Sequence, residues 1–201
     1  MNKLIWFSIP GAIIILPLIL MVPNIGKDWI IGLIGIPILG FIIHQLWRTI
    51  FELLGGFKSE KREIIKAIKN WNKNIKENEA FLVWEMTFYS EVVDKSFREH
   101  DRGAWHYIMS FYTCSIASGL SILIMIASNI INYLIYNNCF TNIKPLDLPC
   151  SCCLIVIFFI LGFLFFAKAK LTSESIDRQE LALLKIFEED FKNTARKLGI
   201  I

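Results

Sequence analysis

Residues Ile108–Ile131 read IMSFYTCSIASGLSILIMIASNII, an uncharged run that stays apolar as far as Tyr136. A helix needs about 20 mostly apolar residues to cross roughly 30 Å of hydrocarbon. This run meets that length, and three others join it. Leu4–Val22 carries no charge, Trp29–Trp47 carries none beyond what His44 can take up, and Leu148–Ala167 lies between Asp147 and Lys168. Four such helices in one small soluble domain would leave almost no polar face.

Composition agrees. The 201 residues are 55% hydrophobic and 19% charged, against about 25% charged in soluble domains. A net charge of +3 is too small to mark a nucleic-acid binder, and five Cys are too few for a disulfide-stapled scaffold. Lys3 before an apolar stretch resembles a signal-peptide start. Leu20-Met21-Val22-Pro23 offers no small-residue cleavage site, so the stretch reads as an uncleaved span.

Charge sets an orientation. Lys and Arg divide nineteen to two between alternate sides of the four runs. Basic residues stay on the cytoplasmic side. Both termini and the segment 48–102 are therefore expected in the cytoplasm, with the loops Pro23–Asp28 and Asn137–Pro149 outside and the whole chain in the cell membrane. Trp6, Trp29, Trp47 and Trp105 sit near run ends, at the headgroup level that aromatic rings prefer.

The expected fold is all-α, a single membrane domain over residues 1–201. Its spans are about 4–22, 29–47, 108–131 and 148–167. Cytoplasmic helices are expected at about 60–78, 80–102 and 173–198. Gly55-Gly56 reads as a hinge and Ser59 as an N-cap, with Glu60 and Glu63 behind it. Ile64, Ile68, Trp71 and Ile75 recur at helical spacing. Phe81 to Phe97 is apolar over more than half a helix circumference and needs two partners. On the last helix Ile176, Leu183, Leu184, Phe187, Phe191 and Leu198 share a side. No Pro separates spans 3 and 4 from the adjoining cytoplasmic helices, so each pair can be continuous.

Four features could carry function. Ser110, Cys114, Ser118, Ser121, Met125, Ser128 and Asn132 follow at steps of three and four along span 3. Small residues let helices approach in lipid, which is the packing reading. A hydroxyl-lined water path completed by an oligomer is the pore reading. Span 2 carries Gly32, Gly35, Pro37 and Gly40, a pattern of kinking and close packing. His44, Arg48 and Glu52 lie at i, i+4, i+8, with Arg102 and His106 at the same level on span 3. They form either a snorkelling belt or an inner proton or anion gate. Cys139, Cys150, Cys152 and Cys153 fall on the outer side, where thiols can pair.

Cys150-Ser151-Cys152-Cys153 is also C-x-x-C at the head of a fourth span. In that motif and in span count the chain is similar to the vitamin K epoxide reductase and disulfide-bond oxidoreductase families. The resemblance implies a four-helix bundle passing electrons from Cys150 and Cys153 to a quinone. Those families place shuttle cysteines in a longer first outer loop. Here Pro23–Asp28 is short and has no Cys.

No H-E-x-x-H or G-x-S-x-G occurs. The residues therefore point first to a small oligomeric channel-like or pore-forming protein, of the stress or defence effector kind, gated through its cytoplasmic helices. The alternative is a membrane anchor or scaffold recruiting a soluble partner. The second alternative is the thiol–quinone oxidoreductase. Expected partners are the lipid bilayer, further copies of the chain and a soluble cytoplasmic protein. Nucleic acid, metal and cofactor are not expected.

Overall fold

The structure is a computed structural model that describes residues 3–21, 29–53, 61–135 and 148–201. It is all-helical, 88% helix, with no strand among the described residues. The described helices are α1 (Lys3–Met21), α2 (Trp29–Leu53), α3 (Arg62–Lys69), α4 (Glu77–Phe88), α5 (Lys95–Ile135), α6 (Leu148–Ile186) and α7 (Glu188–Lys197). Three helices, over Ile34–Leu53, Lys95–Ile130 and Cys150–Ile186, each hold an apolar window long enough to cross a membrane. Phe7–Met21 is a shorter apolar helix. The protein is thus a helical membrane protein by length and composition. Pro23–Asp28, 137–147, Gly55-Gly56, Ser59, Glu60 and Cys139 lie outside the described residues.

Two compact units divide the chain. The first holds Met1–Thr49 and Met109–Ala169, the second Ile50–Ile108 and Lys170–Ile201. Each of α5 and α6 is one unbroken helix carrying residues of both units.

In the first unit the backbones of α1 and α2 come into direct contact. A Cβ on Gly11 would fall inside the Ile36 carbonyl, and one on Gly40 inside the Phe7 carbonyl. Only glycine at both positions permits this crossing. Around it Ile14, Ile43 and Ala117 form one apolar cluster, and Met21, Met125 and Phe158 another.

The second unit has a core of its own. Ile64, Ile65 and Ile68 from α3, Val83, Trp84 and Phe88 from α4, Leu183 and Leu184 from α6, and Phe191 and Ala195 from α7 are all buried there. Trp84 stacks on Phe191 with ring centroids 5.5 Å apart and planes 9° from parallel. The chain ends in a Schellman motif. Gly199 takes φ +68, the Gly199 N–H donates to the Arg196 carbonyl at 3.0 Å, and the Ile200 N–H donates to Ala195 at 2.9 Å.

Three helix boundaries differ from the sequence expectation. The helix expected at 60–78 stops at Lys69. Asn72 accepts the Asn74 N–H through its side chain at 3.0 Å, a local turn that competes with the helical ladder. Ile75 still reaches the core. The helix expected at 80–102 is two helices, α4 ending at Phe88 and α5 starting at Lys95. Between them the Ser90 hydroxyl donates to the Thr87 carbonyl at 2.6 Å. Asp94 then caps α5 by accepting the Ser96 N–H at 2.7 Å. The helix expected at 173–198 is the end of α6, a break at Phe187, and α7.

Candidate functional site

Serine, cysteine and methionine along α5 place the seam of span 3 inside the first unit. Ser110, Cys114, Ser118, Ser121 and Met125 are all buried, and Ser128 is half-buried. Asn132 lies in the helix, and its side chain is not described. The Ser118 hydroxyl donates to the Cys114 carbonyl at 2.9 Å. Ser121 lies 2.9 Å from the carbonyls of both Ala117 and Ile13, the second on α1. A Cβ on Gly162 of α6 would sit 3.2 Å from the Ser118 Cβ, so α6 packs closely on the same seam. Small residues at these positions let α1, α5 and α6 approach.

His44 joins the same packing. Its Nδ1 lies 3.1 Å from the Thr113 oxygen. The Thr113 hydroxyl already donates to the Met109 carbonyl at 2.7 Å, so the ring nitrogen is the donor. Phe7 sits edge-on to the imidazole at 5.2 Å. Arg48 is exposed in the first unit, and Glu52, Arg102 and His106 are exposed in the second. Cys150, Cys152 and Cys153 are exposed free thiols in the first turns of α6.

The chemically unusual cluster lies elsewhere, in the core of the second unit. Lys61, Asp101 and Glu180 are buried, at 7%, 4% and 0% exposure. Lys61 Nζ pairs with Glu180 Oε1. The same ammonium lies 4.8 Å from the Trp105 ring centre and 5.6 Å from that of Trp84, within cation–π range. The Asp101 carboxyl lies close enough to Glu180 to act on it electrostatically. Asp101 Oδ1 and Glu180 Oε2 have no hydrogen-bond partner. Glu180 lies well past Lys168, in the charged half of α6 and outside the uncharged run Leu148–Ala167. Burial there pushes its carboxyl up to about 8, against the lowering effect of Lys61 and with a further rise from Asp101. Tyr89 is also raised, first by burial and then by Asp101.

Sequence reasoning missed this trio. Lys61 and Glu180 are 119 positions apart, and each sits in a stretch of the sequence with several other charged residues. No local spacing marks them. The one available signal is Glu180 itself, which follows Ile176 by one turn on the buried side of α6.

Comparisons of the chain with protein-family models, with curated proteins and with solved structures found no match. No group of three His, Cys, Asp or Glu side chains placed to hold a metal ion occurs among the described residues.

Proposed function

We propose that the protein is a membrane anchor whose second unit recruits a soluble partner in the cytoplasm. In this reading α1 is a fourth span beside α2, α5 and α6. Its 19 residues rise about 28 Å, close to the hydrocarbon thickness. The excess of Lys and Arg on one side supports cytoplasmic termini.

One observation carries the choice between anchor and pore. The hydroxyl seam that could line a water path is taken up by contacts within one chain. By contrast α4 buries Val83, Trp84, Thr87 and Phe88 and leaves Leu82 and Met86 exposed on another face, with Tyr89 and Val92 exposed just beyond its end. Leu82, Met86 and Tyr89 fall at i, i+4, i+7, the spacing by which one helix face engages a groove.

A photo-crosslinker at Met86, introduced in cells, tests this reading. The expected result is a single heterologous adduct that disappears in Leu82→Asp. Adducts only with further copies of the chain, or none, would overturn it.

The oligomeric pore keeps one specific support. Because α5 and α6 each run unbroken from residues of the second unit into an apolar span, a change in that unit has a covalent route into the spans. Conductance from the purified protein in a planar bilayer, altered by Ser121→Leu, would favour that reading. The thiol–quinone reading rests on Cys150 and Cys153, which fall three residues apart at the head of α6. Labelling of the two thiols that does not change with reductant would end it.

A further inference from the structure

We propose that Asp101 and Glu180 hold one proton between them in the core of the second unit, and that losing it loosens that unit. The inference is independent of what the unit recruits.

The geometry comes first. Two neighbouring carboxyls in a buried site repel when both are ionised, which favours a proton on one of them. Asp101 and Glu180 are both buried, at 4% and 0% exposure, and each keeps a carboxyl oxygen without a hydrogen-bond partner. One ammonium, from Lys61, faces two carboxyls. With one proton present the trio is neutral. Without it the trio carries one uncompensated negative charge in an apolar core, a strongly unfavourable state.

The surroundings offer little to replace the proton. Beyond Glu180, the Lys61 ammonium faces the Trp84 and Trp105 rings. The two carboxyl oxygens without a partner, Asp101 Oδ1 and Glu180 Oε2, receive no donor from the protein. From the segment after α4, Tyr89 feels Asp101, Arg102, Glu180 and Glu85, in that order. Arg98 on α5 directs Nη1 to the Tyr89 carbonyl at 2.8 Å. Asp177 precedes Glu180 by one turn on α6 and adds a further carboxyl to that face. Release is a simple ionisation: the O–H bond breaks, the electron pair stays on the carboxylate, and the proton goes to water.

The sign follows from linkage. The folded unit binds a proton that the unfolded chain has lost once pH exceeds the ordinary glutamate range, so stability falls as pH rises between about 4.5 and 8. The lowered proton affinity of the unfolded chain makes acid the stabilising direction.

Infrared difference spectroscopy of the full chain in lipid nanodiscs reads the proton directly. Above pH 6 exposed carboxyls are ionised, so a remaining protonated-carboxyl band isolates this site. The expected result is a band at pH 6.5 that is gone at pH 9.5 and is missing in both Glu180→Gln and Asp101→Asn. Denaturant midpoints should fall over the same range in the wild type and stay level in either variant. Asp101→Asn keeps the test open should Glu180→Gln fail to fold. No band in the wild type, a band untouched by both variants, or a wild-type midpoint independent of pH would overturn the proposal.

Discussion

The Ser121 hydroxyl of α5 reaches the Ile13 carbonyl of α1 at 2.9 Å. That contact turns a residue that could have faced water into one that joins two apolar helices. It belongs to a seam in which Cys114, Ser118 and Met125 are equally buried. The first unit therefore uses its small polar residues to hold itself together, and the second unit carries the exposed apolar face and the buried charges.

The crossing of α1 and α2 depends on two glycines. Gly11→Ala or Gly40→Ala places a methyl group inside a neighbouring carbonyl. The helices must part, at a cost of about 1–3 kcal/mol for overpacking. Gly35, where an added Cβ meets only the Ile15 side chain at 3.9 Å, should tolerate Ala. Thermal unfolding in detergent should rank the three variants accordingly.

Removing the buried cation alone should be worse than removing the whole trio. Lys61→Met leaves Glu180 and Asp101 without their cation. Breaking a buried pair from one side costs about 3–5 kcal/mol, whereas replacing both partners by apolar residues is often neutral. The triple variant Lys61→Met/Asp101→Leu/Glu180→Leu, which leaves no carboxyl buried without a cation, is expected to recover most of the loss. Hydrogen exchange at Phe191, in the same core, would show it.

The start of α5 should fray in acid. Asp94 accepts hydrogen bonds from the Ser96 hydroxyl and the Ser96 N–H, and these hold its carboxyl below the ordinary aspartate value. A lowered carboxyl stabilises above its unfolded value and loses that contribution as pH falls through its folded value. Amide protection at Ser96 and Phe97 should drop below about pH 3.8 and already be low at neutral pH in Asp94→Ala.

At the C-terminus the left-handed turn belongs to Gly199, with φ +68. Gly199→Ala should cost about 1 kcal/mol, the penalty of that conformation for a residue with a Cβ. Exchange protection at Ile200, whose N–H donates to Ala195, is the readout.

Much of this was legible in the residues because hydrophobic periodicity is a local signal. The long apolar runs, the buried line Ile64, Ile68, Ile75, and the line Leu183, Leu184, Phe191 all follow from it. The possibility that α5 and α6 run on without a break followed from the absence of Pro. Helix breaks were less visible, since Ser90, Asp94 and Asn72 end helices through side-chain hydrogen bonds that periodicity does not register. Gly40 stood out beside Pro37, but its partner Gly11 could be found only once two helices were brought together. The trio of Lys61, Asp101 and Glu180 was hidden for the same reason: its chemistry comes from three distant segments meeting in one core.

Thiol reactivity along the α5 seam tests the central claim most directly. In a chain whose other cysteines are changed to serine, Cys114 and a Ser121→Cys variant would be exposed in membranes to a water-soluble maleimide from both sides. The account predicts no labelling of either thiol until the protein is denatured. Rapid labelling of both in the intact membrane would mean that the seam lines water, and would contradict it.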